Sequence, residues 1–237
     1  EELASMWNIP LDRTVSMSLD IASYDGETSV TDISGNNNNA TIHNGTLTSG
    51  EDSDGKYIEF DGTSTSTNKT YIELDHTLLN ENAFTFDIVF KINEGYTLVA
   101  SPDDNIYQGA GPDARLYVHP TNGDFAFGGA GGSSTKVHPN GAIPIGTLER
   151  HTWVWDGTTL NIYHNANTTP FHTYNYTFKT PTEMFINAAD SSSSEYHYPA
   201  TGRIPFKLYG VQIYNKALST DELTTIWDTK QLLTSSH

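Results

Sequence analysis

The sequence predicts an all-β protein: two antiparallel sheets packed as a sandwich, with one short C-terminal helix. Three observations predict this. Residues 84–92 alternate strictly, with Phe84, Phe86, Ile88, Phe90 and Ile92 on one side and Thr85, Asp87 and Lys91 on the other; this period of two is a strand with one face in a core. Residues 151–165 read as two strands about Asp156-Gly157, a pair suited to the positive φ angles of a tight hairpin turn. Similar short segments recur between clusters of Gly, Asn, Asp, Ser and Pro, and many strands at that spacing make a sandwich or barrel.

In order along the chain, a lead-in over 1–13 precedes strands at 14–19, 57–60, 70–74, 84–92 and 96–100. Further strands follow at 115–119, 124–128, the 151–165 hairpin, 171–178, 183–187 and 206–214. Ser219 then caps a helix and Glu222 completes a capping box, while Leu218 and Leu223 are spaced as a hydrophobic staple. Leu223, Ile226 and Trp227 form the stripe that seats this helix on the sandwich. One domain is expected over 14–230, with a tail at 231–237; a length of 237 residues is enough for a full two-sheet core.

Composition excludes several function classes. Twelve Lys and Arg against 29 Asp and Glu give a formal charge of −17, which repels phosphate backbones and anionic membranes, so neither nucleic acid nor membrane insertion is expected. The chain has no cysteine, which removes disulfides, thiolate zinc sites and thiol catalysis. No apolar run approaches the roughly 20 residues of a membrane span. The acidic start Glu1-Glu2 lacks the features of a signal peptide. An extracellular or cell-surface location is expected with any signal already removed, and a virion surface is the alternative.

Four stretches carry a resemblance: Val30-Thr-Asp-Ile-Ser-Gly-Asn36, Tyr57-Ile-Glu-Phe-Asp-Gly62, Trp153-Val-Trp-Asp-Gly157 with Leu160-Asn-Ile-Tyr163, and Val211 to Leu223. In their order and spacing the chain resembles the laminin G-like and pentraxin-like jelly rolls of the concanavalin A-like superfamily. The resemblance implies a jelly-roll sandwich. Its functional implication is broad, because the fold hosts lectins, adhesion modules, virion domains, hydrolases and lyases.

The resemblance to pentraxin-like members also implies a calcium site. Asp103, Asp104 and Asn105 stand where those proteins carry an Asp/Asn pair, and a later acidic loop offers Asp190 and Glu195. Calcium takes six to eight oxygen ligands, which two such loops can supply. A second acidic group, Asp32, Asn36 and Asp61, is the other candidate for calcium.

Aromatic side chains that stack on sugar rings are the candidate ligand contacts. Tyr196, His197 and Tyr198 lie in a long loop, Tyr107 follows the acidic loop, and Tyr163 alternates away from Leu160, Ile162 and His164. Catalysis has weaker support. The Glu-x-Asp-x-x-Glu strand of concanavalin A-like glucanases, which sets two carboxylates across one bond, is absent. Arg115, Tyr117 and His119 alternate on one strand and would suit a lyase: Arg to neutralise a uronate, Tyr and His as acid and base. The run Gly128 to Gly132 precedes no helix and is not a phosphate cradle.

The reading is therefore a non-catalytic carbohydrate-binding or adhesion module, with calcium as its candidate cofactor and glycans or cell-surface polysaccharide as partners. The alternative is a structural, decorating or host-attachment domain of a virion or surface assembly, with other subunits as partners. A polysaccharide lyase acting on uronate polymers ranks last.

Overall fold

The computed structural model describes residues 15–62, 70–94, 107–111, 114–119, 124–128, 135–136, 143–175, 178–181, 183–187 and 205–234, with backbone alone for 107–136 and 229–234. Sixteen strands, two 3-10 turns and one α-helix are found among them. The strands are β1 (Val15–Ser18), β2 (Ser29–Val30), β3 (Ala40–His43), β4 (Thr48–Asp52), β5 (Gly55–Phe60), β6 (Tyr71–Glu73), β7 (Phe84–Ile92) and β8 (Tyr107–Gly111). They continue as β9 (Ala114–His119), β10 (Asp124–Gly128), β11 (Thr135–Lys136), β12 (Leu148–Trp155), β13 (Thr159–His164), β14 (His172–Asn175), β15 (Glu183–Ile186) and β16 (Phe206–Tyr214), and the helix is α1 (Thr220–Thr234).

One sheet runs β14-β13-β12-β7-β16-β5-β4 with β1 paired onto β16, and the other runs β11-β10-β9-β8-β15-β6-β3-β2. Neighbouring strands are antiparallel. The core lies between the sheets, where Phe84, Phe86, Ile88 and Phe90 of β7 meet Trp153 and Trp155 of β12, Phe206 and Leu208 of β16, and Ile72, Met184 and Ile186 of the second sheet. Phe206 stacks on Phe60 at 4.5 Å and meets Phe90 edge-on at 6.3 Å. The expected two-sheet sandwich is present. Strand 96–100 lies outside the described residues, and the short strands β2, β3, β4 and β11 and the glycine-containing β8 are additional to the expected ones.

Strand β7 is buried on both faces, not on one. Its outer side is roofed by α1 and by polar pairing. Thr85 donates to Lys216 O at 2.8 Å and accepts from Leu218 N at 3.0 Å. Asp87, fully buried, takes Nε and Nη2 of Arg150, each at 2.8 Å, and Thr152 Oγ1 at 2.7 Å. Trp227 of α1 closes over this group: its Nε1 donates to Thr152 Oγ1 at 3.2 Å, and the Arg150 guanidinium lies 5.9 Å from the Trp227 ring.

The same roof corrects the assignment of Tyr163 as a surface contact. Tyr163 does alternate away from Leu160 and Ile162, but that face packs against α1, and its ring meets Trp227 at 5.9 Å with 7% exposure left. Parity identified the face correctly; what covered it was a tertiary matter.

At the helix start Ser219 N donates to Glu222 Oε2 at 2.8 Å and Glu222 N to Ser219 Oγ at 3.3 Å, the reciprocal capping box. The helix continues to Thr234, past the expected domain end at 230. The hairpin turns through 156–158, and only Gly157 takes a positive φ, +92°. Asp156 acts through its side chain instead, accepting from the backbone N–H of Thr158 and Thr159.

Candidate functional site

The two outer faces of the sandwich differ. On the first sheet, α1 covers one half and an ion-pair network occupies the other. Lys91 and Lys207 both reach Asp52 at 2.9 Å, Lys91 also reaches Asp54 at 2.5 Å, and Tyr209 donates to Asp52 at 2.8 Å. Burial pushes the Asp52 carboxyl up, but the bonds from Lys91, Lys207 and Tyr209 outweigh it and hold the group well below the usual carboxylate range. Its charges answer one another, a structural pattern.

On the second sheet the rows Ile42, Ile72 and Ile186 are buried in the core, so the rows between them face outward. One outward row reads Thr41, Glu73, Phe185, Gln108, Tyr117 and Ala126 across β3, β6, β15, β8, β9 and β10. His43 and Tyr71 are cross-strand neighbours beside it. The His43 and Tyr71 rings stack at 4.6 Å and 14°, and Tyr71 meets Phe185 edge-on at 5.3 Å. Nε2 of His43 lies 2.7 Å from Glu73 Oε2. Burial, with the carboxylates of Glu73 and Glu183, raises the Tyr71 pKa, so its hydroxyl stays protonated as a donor. Aromatic faces beside a carboxylate are the elements of sugar recognition.

The register assigns Arg115, Tyr117 and His119 to this same outward face, Arg115 opposite Ala110 and Gly128 and His119 opposite Asp124. Tyr107 is different. It pairs with Ile186, which pairs with Ile72, so the register puts it in a core-facing row, not the contact row expected for it.

Connections that carry the candidate loop residues cross between the sheets at one end of the sandwich. Phe206 pairs with both Phe60 and Ile92 in the first sheet, and Ile186 pairs with both Tyr107 and Ile72 in the second. The segments 61–70, 93–106 and 187–205 therefore leave and enter at neighbouring strand ends. Asp103, Asp104 and Asn105 belong to the second, and Asp190, Glu195, Tyr196, His197 and Tyr198 to the third; all eight lie outside the described residues.

Two residues of the second calcium candidate, Asp32 and Asn36, are already engaged by other partners. Asp32 already accepts from Ser18 N (2.8 Å), Ser34 N (2.9 Å), Ser34 Oγ (2.8 Å) and Asn38 N (2.9 Å). Burial opposes ionisation, yet these donors lower its pKa. Asn36 turns its amide nitrogen to Val15 O and Ser16 O. Asp32 and Asn36 tie the 32–38 loop to β1, and a cation would displace the donors that do so.

A further polar group sits on the inner face at the loop end: Glu149, His151 and His164, with side chains 1%, 0% and 15% exposed. His164 Nε2 contacts Glu149 Oε2, and His151 Nε2 lies 4.0 Å from the same oxygen. Neither this group nor the outward His43, Tyr71, Glu73 and Phe185 is among the candidates that the sequence offers. The signal for the outward set was the alternation Tyr71-Ile72-Glu73, with Ile72 inward, and the shorter alternation Ala40-Thr41-Ile42-His43 of β3, with Ala40 and Ile42 inward.

The chain matches the family model of the concanavalin A-like lectin/glucanases superfamily over residues 65–224. No curated protein matches it by sequence. Solved structures share the fold. Domain 4 of AbnA, an extracellular arabinanase from Geobacillus stearothermophilus in complex with arabinotriose, is 16% identical with a TM-score of 0.64, covering 90% of this chain and 98% of that one. The binding domain of Paraclostridial Mosquitocidal Protein 1 is 13% identical with a TM-score of 0.64, covering 92% of this chain and 53% of that one. The binding domain of Botulinum neurotoxin DC in complex with SialylT is 10% identical with a TM-score of 0.65, covering 93% and 52%. The chain thus spans about half the length of the toxin binding domains it matches.

Proposed function

Because the chain belongs to the concanavalin A-like lectin/glucanases superfamily, we propose that it is a non-catalytic carbohydrate-binding module of an extracellular or surface protein. The observation that carries this reading is the outer face of the second sheet, where the stacked His43–Tyr71 pair and Glu73 share a surface with the strand positions of Arg115, Tyr117 and His119, and Phe185, 7% exposed, backs the Tyr71 ring from the same row. Stacking rings supply apolar contact to a sugar, and the carboxylate and tyrosine hydroxyl supply directed hydrogen bonds. The arabinotriose bound to the arabinanase domain and the SialylT bound to the neurotoxin domain support a glycan ligand.

Tyr196, His197 and Tyr198 extend the surface from the loop end in this proposal. Asp103, Asp104 and Asn105, with Asp190 and Glu195, are the proposed calcium ligands, since their connections start and finish at paired strand ends. Calcium there would fix the loops that meet the sugar.

The test is a glycan array followed by calorimetry on the best ligand, with and without chelator. Retention of a glycan, weakened by Tyr71→Ala, is the expected result; no retention at millimolar glycan refutes the lectin reading. If calcium raises the melting temperature and Asp104→Ala removes the rise, the cation site stands. Equal melting in calcium and chelator retires it.

A further inference from the structure

We propose that Glu149, His151 and His164 form a binding site for a borderline divalent transition metal, zinc in the first instance, at the loop end of the sandwich interior. Strand geometry assembles the three ligands. Glu149 and His151 are two residues apart on β12 and so share its inner face, and His164 of β13 is the direct cross-strand partner of His151. Three side chains thus converge from two adjacent hydrogen-bonded strands, a rigid base for a coordination site.

The distances suit an ion after small side-chain rotations. The three ligand atoms lie within 4.8 Å of one another. Bond lengths of about 2.0–2.1 Å in a tetrahedral site call for ligand atoms roughly 3.3 Å apart. His164 contacts Glu149 already, and His151 is at 4.0 Å from the same oxygen. His164, at the strand end and partly exposed, has the most freedom to close the triangle and leaves a route for water as fourth ligand.

The donor set selects the metal. Two imidazole nitrogens and one carboxylate suit zinc, cobalt or nickel, whereas calcium and magnesium prefer oxygen throughout. A cation would also bind a carboxylate that is 1% exposed and already held by contacts from His164 and Asn165. Outer support is in place. Asn165 Nδ2 lies 3.4 Å from Glu149 Oε2, and Asn165 Oδ1 accepts Arg150 N at 2.8 Å. The turn holding it, Asn165-Ala166, has both residues in the left-handed region at φ +48° and +57°. The rings of Phe90 and Phe171 meet His151 and His164 edge-on at 5.0 and 6.2 Å, which orients both imidazoles.

The experiment uses the full chain freed of metal by chelator and titrated with zinc by calorimetry, with cobalt(II) as a visible-absorption probe. The expected result is one equivalent bound, a higher melting temperature and a four-coordinate cobalt spectrum. His164→Gln and Glu149→Gln should each weaken binding by more than the roughly 10–100-fold that loss of an outer partner costs. His76→Gln, in the 3-10 turn at 76–78, should change nothing. Should Glu149→Gln fail to fold, His164→Gln with the cobalt spectrum decides alone. Absence of zinc binding or of the cobalt spectrum overturns the proposal, as does full affinity in His164→Gln. Glycan retention is measured separately, so either proposal can fail without the other.

Discussion

Replacing Asp87 tests the account of how the first sheet is closed. Asp87 is fully buried and accepts three hydrogen bonds, two from Arg150 and one from Thr152. Asp87→Ala leaves the Arg150 guanidinium beneath Trp227 without its counter-charge, and breaking a buried pair from one side costs about 3–5 kcal/mol. At roughly 2–4 °C per kcal/mol for a domain of this size, the melting temperature falls by on the order of 10 °C. Asp87→Leu combined with Arg150→Met removes both charges and should recover most of the loss, because apolar replacements of a buried pair are often neutral or stabilising. Urea unfolding followed by far-ultraviolet circular dichroism measures both variants. A loss below about 1 kcal/mol in Asp87→Ala, within reach of an ordinary surface change, would refute the reasoning. So would a double variant as damaged as the single one.

Tyr71→Ala removes the ring stacked on His43 and should weaken glycan binding roughly two- to tenfold, an aromatic contact of about 0.5–1.5 kcal/mol; unchanged affinity by calorimetry moves the site elsewhere. Gly157→Ala combines a φ of +92° with a Cβ placed 2.7 Å from Asn82 O and should cost about 1–3 kcal/mol, read as a lower melting temperature. The folded-state pKa of Asp52 is depressed, so its contribution is complete above the unfolded-state value of about 3.9 and is lost as pH falls through and below it. Melting temperature against pH should therefore drop less steeply below about pH 4 in Asp52→Asn than in the wild type, and parallel curves would contradict the assignment.

Local signals carried much of the fold. The alternation of β7, the Asp156-Gly157 turn and the Ser219–Glu222 box each depend on neighbours within a few residues, and each is present in the structure. Strand β4, Thr-Ser-Gly-Glu-Asp, has no apolar row because it is an edge strand, so its sequence resembles a loop. Tyr163 shows the other limit: period two separates faces, but only tertiary packing decides that α1 covers one of them. The site followed the same division. His43 and Tyr71 meet through a pairing 28 residues apart in sequence, with nothing local to announce it. His151 and His164 belong to one hairpin, and its register would have placed them opposite each other.

The two-sided burial of β7 has a consequence before the protein folds. Phe-Thr-Phe-Asp-Ile-Val-Phe is a β-prone segment of the kind that stacks between chains, and Asp87 is its single charge. In the unfolded chain that carboxylate acts as a gatekeeper against intermolecular pairing; in the folded one it is held by Arg150 and sealed under Trp227. An apolar replacement that leaves the native state intact would strip the nascent chain of this protection, so equilibrium stability and yield on refolding at high concentration should part company at this position.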